Sequence, residues 1–373
     1  MARYIKMKIA FLCGSLEPGR DGVGDYTRML AGQLIKVGHS VSAIALVDPY
    51  FPDRCQDAQV LDEQGLTVYR IPSSWSSSRR FHQAQKWLDE IQPDWLSLQF
   101  VIYSFHPKGL PFGLSGRLAQ LTRGRSLHVM LHEIWVGFTR ISPVRHKVLG
   151  LLQRRIIKNL LKSTKANLVT TTNGLYQAVL ARHKIPSNIL PLFSNIALAA
   201  PDDAFVVEVL TRLGIPVEDR DQWKIMGFFG SLYPDAALEK VLEEELEESG
   251  KNKLVFIGFG RIDDSGAEEF KCLRDKFFGR INFYHFGELP AGRISQLLQI
   301  LDLGISCTPQ QHLGKSGVFA AMKHHDLEVK TPNASLLPEY DQDIKNYHTE
   351  MILRPADEWG VAHVSQRFLD LLT

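Results

Sequence analysis

A loop near the start of this sequence combines glycines with the beginning of a helix, a pattern suited to holding phosphate. Residues 14–26 join a short apolar run to a helical pattern and contain Gly22, Val23 and Gly24. Glycine lets a backbone approach a ligand closely, and a helix N-terminus offers unpaired N–H groups at the positive end of its dipole. We therefore predict that these three residues bind a phosphate-containing ligand.

A second loop with the same character occurs at residues 308–318, between a short apolar strand and a helix. Here Ser316 could cap the helix, Gly317 and Val318 would begin it, and Lys315 would add a positive charge. The segment is not a P-loop, because the glycine required five positions before Gly-Lys-Ser is absent. Two such loops, in corresponding places of the two halves, predict a diphosphate ligand.

The first loop has two other interpretations. A dinucleotide-binding fingerprint would place an acid at the end of the second strand, where Asp48 lies, to hold a ribose. However, Thr27 stands where the third glycine belongs, and the loop from Gly14 is too long for the tight first turn. The other interpretation is a flexible surface loop without a ligand.

Polar residues also follow the ends of two further apolar runs. His132, beside Glu133, directly follows residues 126–131, and we expect it to act in catalysis rather than as a hydrogen-bonded core histidine. Gln99 and Tyr103, at the end of another run, are candidates for contact with a second substrate, with loop packing as the alternative.

Short apolar runs alternate with amphipathic helical patterns along the chain, which is typical of βαβ units and parallel sheets. In the first half the patterns predict strands at residues 8–14, 40–46, 95–100, 126–131 and 167–171, and a helix at 25–37. In the second half they predict strands at 225–230, 253–257, 281–286 and 303–306, and helices at 235–247, 316–325 and 359–372.

A composition shift at Pro201 marks a domain boundary, and 373 residues suit two domains. We predict an α/β protein with an amino-terminal Rossmann-like domain, residues 1–200, completed by the helix 359–373. A second Rossmann-like domain would span residues 201–358. The two parallel-sheet domains are expected to face each other across a cleft that binds the ligand.

The composition indicates in which compartment the protein lies and which partners it binds. The chain has no run of about 20 apolar residues, and its N-terminal apolar stretch is too short for a signal peptide. The four cysteines are far apart, which argues for a reducing compartment, so we expect a cytoplasmic protein. Residues 1–200 hold 25 of the 43 basic but only 12 of the 41 acidic residues. No nucleic-acid-binding module is recognisable.

The segment Arg145–Lys165 contains basic residues at helical spacing together with apolar ones. A basic amphipathic helix indicates contact with an anionic membrane surface, where lipid-linked acceptors would lie, so the protein could be peripheral at the inner face of the membrane. The alternative is the solvated face of a core helix.

The sequence resembles retaining GT-B glycosyltransferases of bacterial polysaccharide pathways over nearly the whole chain. The resemblance rests on GVGDYTR at residues 22–28, LHEIW at 131–135, and FGELP at 286–290 with LDLG at 301–304. A narrower resemblance is to a cyanobacterial glycosyltransferase of heterocyst envelope polysaccharide that uses UDP-glucose. The resemblance implies that His132 contacts the donor sugar, and that Phe286, Gly287 and Leu289 frame the nucleotide base.

The sequence departs from that family's pattern at two places. Two glutamates usually flank the last binding helix, but His312 and Ala320 stand there. An Arg and a Lys usually follow the first strand of the second domain, but residues 230–235 contain neither. We expect Lys315 and Arg261 to supply the positive charge that the diphosphate needs.

The resemblance implies transfer of a hexose, glucose, from a UDP-sugar to a polysaccharide or lipid-linked acceptor, with retention. No cofactor or metal is expected, because Asp219–Asp221 and Asp341–Asp343 have D-x-D spacing without following a clear strand. A nucleotide-sugar epimerase or hydrolase, and a degenerate sugar-nucleotide-binding scaffold, remain alternatives.

Overall fold

The structure is a computed structural model. It describes residues 6–51, 59–61, 65–230, 232, 237–248, 253–331, 340, 345, 347 and 350–373. Two compact units divide the chain. Unit 1 comprises Met1–Pro191, Glu339–Tyr347 and Val361–Thr373, and unit 2 comprises Leu192–Pro338 and His348–Gly360.

Unit 1 is built on an eight-stranded sheet with the order β3-β4-β2-β1-β5-β6-β7-β8. Its strands are β1 (Lys8–Cys13), β2 (Ser40–Asp48), β3 (Gln59–Leu61), β4 (Leu66–Pro72), β5 (Trp95–Phe100), β6 (Ser126–Leu131), β7 (Leu168–Thr171) and β8 (Asn188–Ile189). Strands β1, β2 and β4 to β8 are parallel, whereas the edge strand β3 pairs antiparallel with β4. The carboxyl ends of the parallel strands therefore meet at one edge.

The helices of unit 1 connect these strands. They are α1 (Gly22–Lys36), α2 (Ser77–Ile91), α3 (Ile102–Phe105), α4 (Leu114–Leu121), α5 (Val144–Thr164) and α6 (Gly174–Arg182). Helix α1 begins three residues earlier than its apolar pattern predicted, because the side chain of Asp21 caps it. The glycines of the first loop therefore belong to the first turn of the helix.

Unit 2 is built on a five-stranded, wholly parallel sheet with the order β11-β10-β9-β12-β13. Its strands are β9 (Trp223–Phe229), β10 (Lys253–Phe259), β11 (Ile281–His285), β12 (Leu303–Ile305) and β13 (Val329–Lys330). Its helices are α7 (Asp203–Arg212), α8 (Leu238–Glu248), α9 (Asp264–Lys276), α10 (Ala291–Ile300) and α11 (Gly317–His324).

The last helix of the chain, α12 (Val361–Leu372), belongs to unit 1. Phe368 of α12 stacks on Phe11 of β1, with the ring centroids 5.9 Å apart, and meets the edge of His128 in β6 at 5.2 Å. This packing explains the strong apolar periodicity of the C-terminal segment, since one face of α12 is buried against the sheet.

The D-x-D segment Asp219–Asp221 lies in a 3₁₀ helix, Val217–Gln222, that leads into the amino end of β9. It therefore stands at the edge of the sheet opposite the strand carboxyl ends. Asp341 and Asp343 lie outside the described residues. In the described part of the chain, no helix is both long and apolar enough to cross a bilayer.

Candidate functional site

The loop between β1 and α1 is anchored by the buried carboxylate of Asp48. This side chain accepts hydrogen bonds from Ser15 Oγ at 3.1 Å and Leu16 N at 3.1 Å. It also accepts from Tyr50 N at 3.0 Å and from Arg70 Nε at 2.8 Å. Asp48 is fully buried, so its oxygens are already used within the protein. The structure thus favours neither the ribose-binding acid of a dinucleotide site nor a loose surface loop.

The N-terminus of α1 is occupied by a carboxylate of the protein itself. Asp21 Oδ1 accepts hydrogen bonds from Val23 N at 2.8 Å and Gly24 N at 3.0 Å. A Cβ atom on Gly24 would lie 2.6 Å from the carbonyl oxygen of Ser15, whereas one on Gly22 would meet no atom within 4 Å. Gly24 is thus required for close packing of the helix on the loop. A phosphate could reach the amides of Val23 and Gly24 only by displacing Asp21.

His132 lies at the carboxyl end of β6 and is 7% exposed. Its ring meets the ring of Tyr26 edge to face at 4.9 Å, and its Nε2 lies 2.8 Å from Gln99 Oε1. Gln99 is 1% exposed, and its Nε2 donates a hydrogen bond to Ser97 Oγ at 2.8 Å. Both ends of the Gln99 amide therefore bind protein groups. Our prediction that Gln99 contacts the second substrate, the acceptor, stays a prediction, and in the structure its amide binds His132.

The hydrogen-bond chain from His132 continues into the core of unit 1. Ser97 Oγ lies 2.8 Å from His128 Nδ1, and His128 Nε2 lies 2.7 Å from Thr170 Oγ1, which donates to Met130 Sδ. Because the hydroxyl of Thr170 donates to Met130 Sδ, Thr170 accepts from His128 Nε2. The neutral ring of His128 then accepts a hydrogen bond from Ser97 on Nδ1. Gln99 Oε1 can only accept, so His132 Nε2 donates to it and His132 Nδ1 carries the lone pair.

Both histidines of this hydrogen-bond network, His128 and His132, are neutral. Burial lowers the pKa of His132 to about 3 and, together with His132, lowers the pKa of His128 to about 3. A neutral His132 with a lone pair on Nδ1 can accept a hydrogen bond from a sugar hydroxyl. It is too weak a base to remove a proton near neutral pH.

Tyr103 lines a cavity of about 310 Å³ at the carboxyl ends of β1, β2 and β5. Its side chain is 38% exposed, and its hydroxyl accepts a hydrogen bond from Gln153 Nε2 at 3.1 Å. Arg20, Tyr50 and His106 also line this cavity. An exposed tyrosine beside these polar groups suits a saccharide, so Tyr103 remains a candidate for acceptor contact.

The N-terminus of α11 in unit 2 is capped by a hydroxyl. Ser316 Oγ accepts from Phe319 N at 3.2 Å and from Thr308 Oγ1 at 3.0 Å. The N–H groups of Gly317 and Val318, in the first turn of α11, have no intrahelical acceptor. Ser316 and Val318 border a cavity of about 200 Å³ at the carboxyl end of β12. This arrangement can hold an anion without displacing a charged group.

His312 and Lys315 determine the charge beside the N-terminus of α11. Burial and Lys315 lower the pKa of His312 to about 4, so His312 is neutral at physiological pH. Lys315 is then the charge that adjoins the cap. Ala320, which stands where the second glutamate was expected, is fully buried.

Arg261, expected to help bind the diphosphate, pairs with Glu288 in the structure. The two hydrogen bonds measure 3.0 Å and 3.2 Å, and both side chains are exposed. The charge of Arg261 is therefore largely balanced by Glu288. Ser231 and Tyr233–Asp235, from the segment where an Arg and a Lys were expected, lie outside the described residues.

The expected base-framing residues follow β11. Phe286 is half-buried beneath the guanidinium of Arg212, which lies 4.6 Å from its ring centroid. Gly287 has a φ of +74° and accepts a hydrogen bond from Gly260 N at 2.8 Å. Leu289 packs against the core of unit 2. These three residues thus lie next to the carboxyl end of β10, where a planar base could rest on Phe286.

Helix α5 carries the basic segment of unit 1. Among the apolar residues of the segment Arg145–Lys165, Ile156 and Leu160 are buried in unit 1, whereas Leu152 is exposed. Val144, Val148 and Leu151 are also exposed along the first half of the helix.

Sequence reasoning missed Asp21 as the cap of α1 and missed the Ser97–His128–Thr170 chain. A signal for the chain was present, because His128 and His132 are four residues apart along β6 and therefore share one face. Ser97 and Gln99 likewise share one face of the neighbouring β5, and Ser97 pairs in register with His128. Polar residues at a spacing of two in buried strands indicate such a network.

No protein-family model matches the sequence, and no curated protein matches it significantly. Solved structures do match. Sucrose-phosphate synthase from Thermosynechococcus elongatus is 14% identical, with 98% of this chain and 95% of that chain covered and a TM-score of 0.57. The Anabaena protein HepE in complex with UDP-glucose is 15% identical, with 98% and 99% covered and a TM-score of 0.57.

A glycosyltransferase from Rickettsia africae is 12% identical, with 99% of this chain and 98% of that chain covered and a TM-score of 0.57. These similarities extend over almost the whole chain and accompany two α/β units with parallel sheets. They confirm the predicted GT-B fold.

Proposed function

We propose that this protein is a nucleotide-sugar glycosyltransferase that moves glucose from UDP-glucose to a polysaccharide or lipid-linked acceptor, with retention of configuration. The GT-B fold over 98% of the chain supports the class, and the UDP-glucose bound to the similar Anabaena protein supports the donor. The observation that carries the proposal is the N-terminus of α11, which has an uncharged cap, first-turn amides without an intrahelical acceptor and the adjacent Lys315.

In this proposal unit 2 binds the nucleotide. The diphosphate accepts hydrogen bonds from the amides of Gly317 and Val318 and from Lys315, and the base rests on Phe286. These donors stabilise the charge that develops on the departing UDP. The bond between the anomeric carbon and the phosphate oxygen breaks as the acceptor oxygen bonds to that carbon, and the acceptor proton passes to the phosphate.

His132 orients the donor sugar by accepting a hydrogen bond on Nδ1, while Gln99 fixes its tautomer. No protein carboxylate is needed as a nucleophile, so positioning and charge stabilisation supply the catalysis. We further propose that turnover needs no divalent metal. Full activity after treatment with a chelator would support this, and restoration of lost activity by magnesium or manganese would disprove it.

The decisive experiment offers the protein UDP-, GDP- and ADP-sugars and measures binding by calorimetry and transfer by product analysis. We expect UDP-glucose to bind most tightly and UDP to be released when an acceptor is added. Binding without release of UDP over a panel of acceptors would favour a sugar-nucleotide-binding scaffold. Epimerised or hydrolysed product would favour a nucleotide-sugar epimerase or hydrolase.

We also propose that α5 rests on an anionic membrane surface. The exposed row Val144, Val148 and Leu151 is accompanied by the exposed basic residues Arg145 and Arg155. Apolar residues that insert beside cations are typical of interfacial helices.

Sedimentation with phosphatidylcholine vesicles, with and without an anionic lipid, tests this contact. We expect binding only with the anionic lipid and a clear loss in the double variant Val148→Ser, Leu151→Ser. The matched control is Val207→Ser, which removes an exposed valine from α7. Equal binding by all three proteins would disprove the contact.

A further inference from the structure

A second cavity of unit 1, of about 300 Å³, has two arginines in its wall. Arg80 comes from α2 and Arg117 from α4, and no acidic residue is among the described residues that line the cavity. It shares Val47, Phe105 and His106 with the cavity that contains Tyr103. The two cavities are therefore neighbours at the same edge of the sheet.

The charge of this cavity is not balanced by the described residues of the chain. Arg80 donates from Nη1 to the carbonyl oxygen of Leu46 at 3.2 Å, but its buried Nε has no acceptor among the described residues. Across the described part of the chain, neither Arg80 nor Arg117 forms an ion pair with a carboxylate. Burial, and then the charge of Arg117, lowers the pKa of Arg80. Two neighbouring cations without an anion are unfavourable in a partly buried site.

Two further donors adjoin the arginines. His106 Nδ1 accepts from Lys108 N at 3.2 Å and Leu110 N at 3.3 Å, so the neutral ring carries its proton on Nε2. Ser77 stands in the first turn of α2, at the positive end of that helix. Guanidinium, imidazole and hydroxyl donors around one cavity match the several oxygen acceptors of a phosphate.

The rest of the wall is apolar. Phe81 lies under the guanidinium of Arg117, which is 5.9 Å from its ring centroid, and Phe112 is 72% exposed. An apolar wall next to arginines suits a ligand in which a phosphate is attached to an apolar group. A free inorganic anion would leave this wall in contact with water.

We infer that this cavity binds a phosphate or diphosphate group of the acceptor, while the neighbouring cavity with Tyr103 holds the acceptor sugar. The inference rests on the proposed glycosyltransferase function and narrows its acceptor to one that carries a phosphate beside an apolar chain. Arg80 and Arg117 bind the phosphate oxygens, and Phe112 contacts the apolar chain.

The test measures binding to the full chain by calorimetry with three probes. The first is a sugar joined by diphosphate to a short isoprenyl alcohol, the second is the same sugar joined to the same alcohol without phosphate, and the third is inorganic diphosphate. We expect the first probe to bind at least about tenfold more tightly than either of the others.

Three variants assign the effect to the cavity. Arg117→Leu and the milder Arg80→Lys should each weaken the first probe by about tenfold and leave the neutral probe unchanged. The matched control is Arg79→Leu, because Arg79 is exposed on the same helix as Arg80 and stacks on Trp75 at 3.5 Å. It should bind all probes as the unaltered protein does.

Equal binding of the charged and neutral probes by the unaltered protein would overturn the inference, as would an equal loss in Arg79→Leu. Inorganic diphosphate that binds as tightly as the first probe would also overturn it, since the site would then serve a free anion. The affinity for UDP-glucose, measured on the same preparations, should not change. A chain that binds UDP-glucose but not the first probe disproves the inference alone, whereas a chain that binds no nucleotide sugar disproves the proposed function.

Discussion

Helices α1 and α11 begin in the same structural context and differ in how they are capped. Each follows a strand of a parallel sheet, and each has glycine in its first turn. Asp21 caps α1 with a carboxylate that holds two backbone amides, whereas Ser316 caps α11 with a hydroxyl that holds one.

This difference gives the two helix starts opposite preferences for an anion. The first turn of α1 carries its own negative charge at Asp21 and a second acid at Asp25, so a phosphate there would meet repulsion. The first turn of α11 has an uncharged cap and adjoins Lys315, so its positive dipole end is available. A glycine-containing helix start is therefore not by itself a phosphate site, because the charge of its cap decides. In our proposal the diphosphate binds at α11, and residues of unit 1 bind the sugar and the acceptor.

The largest expected effect is on sugar transfer, from a change in unit 1. His132→Ala should lower kcat roughly 100-fold, the scale of losing one preorganised hydrogen-bonding group, and leave UDP affinity nearly unchanged. Turnover, UDP affinity and melting temperature should be measured on one preparation. Normal turnover in the folded variant would remove His132 from the site, and a large loss of UDP affinity would contradict the division of roles.

A change beside α11 should act on the nucleotide instead. Lys315→Ala should weaken UDP binding by about 1–3 kcal/mol, the scale of a lost charge-assisted hydrogen bond. Lys323→Ala is the matched control, because Lys323 lies in the last turn of the same helix. Calorimetric titration with UDP checks both variants, and equal affinities would show that the positive charge comes from elsewhere.

Acidification should destabilise unit 1 through the buried histidines His128 and His132. The pKa values of His128 and His132 are about 3 in the folded chain, well below the usual 6.5 of an exposed histidine. As the pH falls below 6.5, the unfolded chain takes up protons that the folded chain does not, so stability present above pH 6.5 is lost progressively towards pH 3.

Between pH 7.5 and 5.5 this loss should amount to about 1.4 kcal/mol for each histidine. Denaturant unfolding followed in unit 1 at both pH values measures the loss. The variant His128→Gln should show a smaller pH dependence than the unaltered protein. The same dependence in both proteins would mean that His128 does not contribute.

The smallest expected effect comes from exchanging the type of cap. Ser316→Asp should preserve the cap of α11 but weaken UDP binding by about 1 kcal/mol, because it gives α11 the negative charge that α1 already has. Ser316→Asn supplies an uncharged cap as the control and should keep its affinity. The reciprocal change, Asp21→Asn, should leave UDP affinity unaltered. A gain in UDP affinity there would show that the start of α1 also binds the nucleotide.

The sequence by itself determined the fold class and most of the central strands. Residues 95–100 and 126–131 were predicted as strands, and β5 and β6 have those same bounds. Buried strands of a parallel sheet are short apolar runs, and such a run is a local property of the chain. The antiparallel edge strand β3 and its neighbour β4 were missed, because they carry weaker patterns and their pairing depends on neighbours in space.

Only the tertiary structure decided which groups the candidate site residues contact. Gln99 was expected to touch the acceptor, and Arg261 to bind the diphosphate, but their partners are His132 and Glu288. Each partner lies more than 25 residues away along the chain, and spacing along a sequence cannot show which of many distant polar groups will meet. Folding brings strand ends together at one edge of a sheet, and there the hydrogen bonds and charges that are already satisfied determine which groups remain for a ligand.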